Sequence, residues 1–170
     1  MLRIGVTGSG FMGRTHVEAA RRLSTTEIVA VAGGSRAAGL AEDYGITCEE
    51  DPQALIARPD IDAVVISTPH HCHVDEALLA AEHGKHALVE KPLAGNVEDA
   101  EAIVATAEAA DVILAVGHVE RHNPVVAYAK EAIRRGEWGE VITMSSKRVS
   151  RYPERIKDVG VVFDLAIHDL

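Results

Sequence analysis

Eight residues near the start of the chain, Val6-Thr7-Gly8-Ser9-Gly10-Phe11-Met12-Gly13, constrain its fold more than any other stretch. They follow an apolar run, Leu2-Arg3-Ile4-Gly5-Val6, and precede a helix-like pattern over 11–23. Gly8, Gly10 and Gly13 stand in the G-x-G-x-x-G spacing of a dinucleotide-binding turn. Gly8 permits the tight turn, Gly10 lets the backbone approach a pyrophosphate, and Gly13 lets the helix pack on the strand. The helix start then presents unpaired N–H groups and the positive end of its dipole to the phosphates. Ser9, Phe11 and Met12 complete the expected binding turn. Glycine-rich turns also arise by chance, so the weight comes from its place between a strand and a helix.

The residues that follow alternate strand and helix signals, which predicts a doubly wound parallel sheet covered on both faces. After Leu2–Val6, strands are expected over 27–32, 61–67, 87–90 and 112–116. Helices are expected over 36–44, closed by Gly45, over 52–57, capped by Asp51 with Pro52 at the first position, and over 73–83, closed by Gly84. Asn96 opens an alanine-rich helix with Glu98 and Asp99 in its first turn. This α/β domain is expected to span 1–120. From 121 the pattern changes: a helix begins at Asn123-Pro124 and runs to about 135, and 141–149 reads as a strand. A polar basic loop covers 150–158, and 160–170 reads as a helix entry. That apolar entry stops at Leu170 without a cap, so 121–170 is expected to be the incomplete start of an α+β substrate domain.

Composition narrows the function. Of 170 residues 47% are hydrophobic, and no apolar run reaches the length of a membrane span. No leader-like segment opens the chain, which favours the cytoplasm, and Cys48 and Cys72 are too few and too separated for a disulfide framework. A net charge of −9 argues against a nucleic-acid partner. Positions 121–157 nonetheless hold 9 Lys/Arg and 4 Asp/Glu. This basic segment suits an anionic small molecule, or is simply a solvated face.

Glu90-Lys91-Pro92 and Thr68-Pro69 each follow a predicted parallel strand, the edge at which open α/β sheets bind ligands. A lysine there can donate to a substrate oxygen; the alternative is a surface lysine. His70, His71, Cys72 and His73 crowd behind Thr68-Pro69. Consecutive residues point in different directions and no second ligand cluster has metal spacing, so no metal site is expected. His73 is a candidate for packing near a cofactor. Asp164 and His168, four apart, share a face on a helix, where a carboxylate can orient an imidazole for general-base work. A chance pair on a solvated helix has the same spacing.

Together these motifs resemble the Gfo/Idh/MocA family of NAD(P)-dependent oxidoreductases: Gly8-x-Gly10-x-x-Gly13, Ser67-Thr68-Pro69 with His73, Glu90-Lys91-Pro92, and Asp164-x-x-x-His168. The resemblance implies a Rossmann domain followed by a domain that shapes a substrate pocket and often mediates homo-oligomerisation. It implies hydride transfer between a nicotinamide and a hydroxyl-bearing carbon of a sugar or polyol. By position, His168 would be the general base, Asp164 would orient it, and Lys91 would bind and polarise the same oxygen. Thr68, Pro69, His73, Glu90 and Lys91 would border the cofactor.

The segment Gly117-His118-Val119-Glu120-Arg121-His122-Asn123-Pro124, with Lys147, Arg148 and Arg151, looks most similar to members acting on UDP-N-acetyl sugars. Arg121, Asn123 and Arg148 are the expected substrate contacts. An inositol or polyol dehydrogenase, a non-catalytic NAD(P)-binding sensor and a redox-assisted glycosidase are the alternatives. One departure bears on the cofactor. Members preferring NAD usually end the second strand with an acid that bonds the ribose 2′-hydroxyl. Here the position reads Gly33-Gly34-Ser35-Arg36, and Ser35 and Arg36 suit a 2′-phosphate, which favours NADP.

Overall fold

The computed structural model describes residues 1–149 and 165–168. Its first unit, 1–117, is built on six parallel strands: β1 (Leu2–Thr7), β2 (Thr26–Ala32), β3 (Thr47–Cys48), β4 (Ala63–Ile66), β5 (His86–Val89) and β6 (Leu114–Val116). Their spatial order is β3-β2-β1-β4-β5-β6, so the winding reverses between β1 and β4. A crevice opens outside the carboxyl ends of the strands at such a reversal. The short pairing of 47–48 with β2 is a strand that the sequence pattern does not announce.

Strand periodicity builds the two layers. Ile4 and Val6 of β1 point to a core shared with Val17, Ile28, Leu40 and Val65. Val64 and Ile66 of β4 point the other way, to Leu55, Ile56, Ala77, Ala80, Val89 and Ile103. Gly5 also faces that second layer, where a Cβ would fall 2.5 Å from Leu55 Cδ2, so helix α3 (Pro52–Ile56) lies directly on β1.

The helix boundaries follow their caps. Asp51 accepts the Ala54 N–H at 2.7 Å to open α3, and Asn96 accepts the Asp99 N–H at 2.8 Å to open α5 (Val97–Ala109). Gly45 (φ 65°) ends α2 (Ala37–Tyr44) and Gly84 (φ 66°) follows α4 (His73–Glu82), both left-handed. Helix α1 (Phe11–Ala20) is three residues shorter than expected, because the Arg22 and Leu23 amides tighten onto Ala19 and Ala20. At the amino ends of the strands, Arg58 grips Asp60 with two nitrogens and Arg3 adds a third contact at 2.8 Å. These guanidinium groups hold the Asp60 carboxyl well below the usual carboxylate range.

The second unit, 118–170, contains a 3-10 turn at Val119–His122 and helix α6 (Pro124–Arg134). Asn123 caps α6 by accepting the Val125 N–H at 3.0 Å, with Pro124 at the first helical position. The strand expected over 141–149 is not formed. These residues are exposed and pair with no strand among the described residues, and an alternating pattern becomes a strand only when a neighbour supplies the ladder. Ala166–His168 forms a 3-10 turn, in which the His168 N–H donates to the Leu165 carbonyl at 3.1 Å. Asp164, the loop over 150–158 and the rest of the expected helix lie outside the described residues.

Candidate cofactor and active-site edge

The glycine turn sits where the winding reverses. Gly8 takes φ 87°, and its N–H bonds the Ala32 carbonyl at 2.8 Å while that of Ser9 bonds Gly33 at 3.1 Å. The turn is thereby tied to the end of β2. On its other side the Ser67 hydroxyl donates to the Thr7 carbonyl at 2.7 Å, which ties it to β4. A Cβ on Gly8 would overlap the Ser67 carbonyl, and one on Gly13 would overlap the Gly8 carbonyl oxygen. Gly10 is different: a Cβ there would meet only Arg36 Nη2, at 3.8 Å. The space over Gly10 at the start of α1 therefore fits a pyrophosphate approaching helix N–H groups, as a dinucleotide requires.

Ser35 and Arg36 follow β2 on the same edge, both exposed. A Cβ on Gly34 would lie 2.8 Å from Ser9 Oγ, so this loop flanks the turn and carries the Arg36 guanidinium to it. Ser9 is buried, Met12 is half-buried and Phe11 is 70% exposed. Phe11 thus presents an apolar ring to whatever approaches the helix start.

Beyond β4, Thr68 is half-buried, and its hydroxyl oxygen is enclosed with no hydrogen-bond partner of normal geometry. It lies near enough to Glu76 to favour that carboxyl's charged form. His73, expected to pack near a cofactor, is the first residue of α4. It is 1% exposed, and both ring nitrogens contact backbone oxygens at 2.9 Å, Nδ1 that of Pro92 and Nε2 that of Thr68. Neither nitrogen is left for a ligand, so His73 acts on the site by joining the loops after β4 and β5. Burial pulls its pKa below the ordinary value, against the two carbonyls that favour the charged ring. His70, His71 and Cys72 form a 3-10 turn, and no three metal-ligating side chains converge among the described residues.

Glu90 and Lys91 follow β5. The Glu90 amide bonds the Ile66 carbonyl at 2.9 Å, which extends the sheet by one register position. The Glu90 carboxyl is buried, and its Oε1 lies 2.7 Å from His16 Nε2 on α1. Lys91 is half-buried at the carboxyl edge, and its peptide bond to Pro92 is cis.

Three polar groups here have partners that no local motif announces: Thr7 and Glu76, both buried, and the half-buried His16. Thr7 donates its hydroxyl to Glu76 Oε2, and burial pushes the Glu76 carboxyl up. The helix positions held a signal. Gly13, His16, Val17 and Ala20 form an i, i+3, i+4, i+7 stripe, as do His73, Glu76, Ala77 and Ala80, so each helix carries polar residues on its apolar face.

In the second unit Arg121 is exposed in the 3-10 turn, and the Asn123 amide group donates to Glu120 at 3.3 Å. Arg148 lies 3.7 Å from Glu120. The three expected substrate contacts therefore belong to one short neighbourhood around Glu120.

The strand order and the turn define a dinucleotide-binding protein of the Rossmann type. The model of the Gfo/Idh/MocA oxidoreductase family, an NAD-binding Rossmann fold, matches residues 2–118, and the chain belongs to this family. It is 32% identical to UDP-N-acetylglucosamine 3-dehydrogenase of Acidithiobacillus ferrooxidans, over 99% of this chain and 52% of that protein. It is 37% identical to scyllo-inositol 2-dehydrogenase (NAD(+)) of Bacillus subtilis, with the same coverage of 99% and 52%. The crystal structure of an NAD-binding protein from Listeria innocua superposes with a TM-score of 0.85 at 26% identity, covering 98% of this chain and 52% of the other. The chain thus spans about half the length of the curated relatives it matches. No helix among the described residues is long and apolar enough to cross a membrane.

Proposed function

We propose that the full-length protein is an NADP-preferring dehydrogenase acting on a hydroxyl carbon of a sugar, with a nucleotide sugar such as UDP-N-acetylglucosamine as substrate. The observation that carries this reading is the shared sheet edge: the Gly8–Gly13 turn and Lys91 lie at the carboxyl ends of β1 and β5. A bound nicotinamide dinucleotide supplies the hydride acceptor or donor. Gly8, Ser9, Gly10, Phe11, Met12 and Gly13 seat its pyrophosphate, Ser35 and Arg36 take the 2′-phosphate, and Thr68 and Pro69 border the nicotinamide end. The Lys91 ammonium donates to the substrate oxygen and stabilises charge that develops there. The imidazole of His168 takes the hydroxyl proton on oxidation and returns it on reduction, with Asp164 orienting the ring. Arg121, Asn123 and Arg148 lie in the segment of positive charge that suits a diphosphate.

The likeness to the Acidithiobacillus enzyme supports the nucleotide-sugar reading, and the likeness to the inositol dehydrogenase supports a free polyol in its place. A screen of the full-length gene product by NAD(P)H absorbance separates them. Turnover of UDP-N-acetylglucosamine is expected, whereas oxidation of inositols alone would move the assignment to the polyol class. Glycosidic cleavage without net change in NAD(P)H would indicate the redox-assisted glycosidase, and binding without turnover the sensor. Cytoplasmic location and homo-oligomerisation belong to the same proposal and are checked by fractionation and light scattering.

A further inference from the structure

We propose that His16 is a positioning residue for Lys91, acting through Glu90, so that the helix carrying the glycine turn sets the geometry of the lysine. The inference rests on the reading of Lys91 as the group that binds the substrate oxygen.

The Glu90 carboxyl has little room to move. Its Oε1 lies 2.7 Å from His16 Nε2, and its Oε2 accepts the Lys91 backbone N–H at 3.3 Å. A Cβ on Gly117 would lie 3.1 Å from Oε1 and 3.2 Å from Oε2, so the glycine after β6 packs closely against it. The side chains of His16 and Glu90 are 15% and 9% exposed, so the contact is shielded from solvent. Against an ionised carboxylate, Nε2 must be the donor.

His16 stands three residues beyond Gly13, on the face of α1 that buries Gly13 and Val17. The glycine turn and His16 are therefore parts of one rigid rod. Its first residues meet the pyrophosphate, and its second turn grips the carboxylate that holds the Lys91 backbone. Nothing else in the proposed chemistry uses His16, and a half-buried histidine beside Gly13 and Val17 has this carboxylate as its partner. With the donor gone, Glu90 keeps its burial but loses its anchor. Lys91 then samples orientations in which its ammonium misses the substrate oxygen, a loss that falls on turnover rather than on binding.

The test uses the full-length gene product with its best substrate. His16→Ala is expected to lower kcat by about tenfold or more, the loss of one hydrogen bond to a charged group, while the Kd for the nicotinamide cofactor changes by less than about threefold. His16→Gln, which keeps a donor at the end of its side chain, is expected to recover most of the rate. In a Lys91→Ala background, His16→Ala should add no further loss, because the lysine it positions is absent. Near-normal turnover of Lys91→Ala would overturn the reading of the lysine and this inference with it. Lys91→Ala crippled, but His16→Ala harmless or fully additive with it, would overturn the inference alone. Equal damage from His16→Ala and His16→Gln in kcat, cofactor Kd and Tm would likewise overturn it, as the mark of a packing role.

Discussion

Gly13 and Gly8 touch through backbone alone: a Cβ on Gly13 would lie inside the van der Waals radius of the Gly8 carbonyl oxygen. The third glycine of the motif thus closes the turn upon itself, while Gly10 faces open space. The two positions should respond differently to one methyl group.

Gly13→Ala is expected to destabilise the chain by about 1–3 kcal/mol, the cost of an overpacked site, and to abolish dinucleotide binding. Gly10→Ala, in extended backbone at φ −73° and ψ −167°, should change stability by less than about 0.5 kcal/mol. Its methyl group instead occupies the pyrophosphate approach, and the Kd for NADPH should rise by about tenfold or more. Thermal melts and fluorescence titrations of the two variants make the comparison. Unchanged NADPH affinity in Gly10→Ala would contradict the proposed seat.

Arg36 is the second test of the cofactor. Its guanidinium stands 3.8 Å from where a Gly10 Cβ would be, beyond a β2 end without a carboxylate. Arg36→Ala should weaken NADPH by about 10–100-fold, the worth of hydrogen bonds to a charged group, and NADH by no more than about twofold. Titration of both cofactors against both proteins decides it. Tighter NADH than NADPH binding by the unaltered protein would reverse the preference.

Glu76 predicts a pH dependence of stability. Burial holds its carboxyl above the ordinary range, so the native state binds this proton more tightly than the unfolded chain. The stabilisation is fully present below the unfolded pKa of about 4.3 and is lost as pH rises through the native value. Glu76→Gln keeps an oxygen for the Thr7 hydroxyl and carries no charge. It should therefore be more stable than the parent near neutral pH, and the two should converge in acid. Urea denaturation across that range checks the sign, and a Gln variant that is weaker at neutral pH would refute it.

Asn123 serves α6 as its cap, whatever it does for substrate. Asn123→Ala should cost about 1 kcal/mol of helix stability, and Asn123→Ser much less. Hydrogen exchange at the first turn of α6 measures this. If Asn123 also contacts substrate, the Ser variant of the full-length product should raise KM while exchange at α6 stays near that of the parent.

Much of the first unit was legible in the sequence because its signals are local. Asp51-Pro52, Asn96, Gly45 and Gly84 each fix a helix end through one cap or one left-handed residue, and the cap needs no distant partner. The stretch 141–149 failed for the opposite reason: its alternation describes a strand, yet a strand exists only when paired. For His73 the sequence predicts packing at a helix entry but does not name its partners. The structure buries it between the Thr68 and Pro92 carbonyls, which are 24 residues apart in sequence.

The glycine turn, the alternation that lays down a parallel sheet, and the lysine at a strand end are local properties, since each depends on neighbours within a few residues. Tertiary structure alone decided which polar groups meet across the sheet. His16 reaches Glu90 over 74 positions, and Thr7 reaches Glu76 over 69. The physical reason is the crossover: parallel strands bring carboxyl ends together only through intervening helices, and no local pattern records which buried side chains those helices will set face to face.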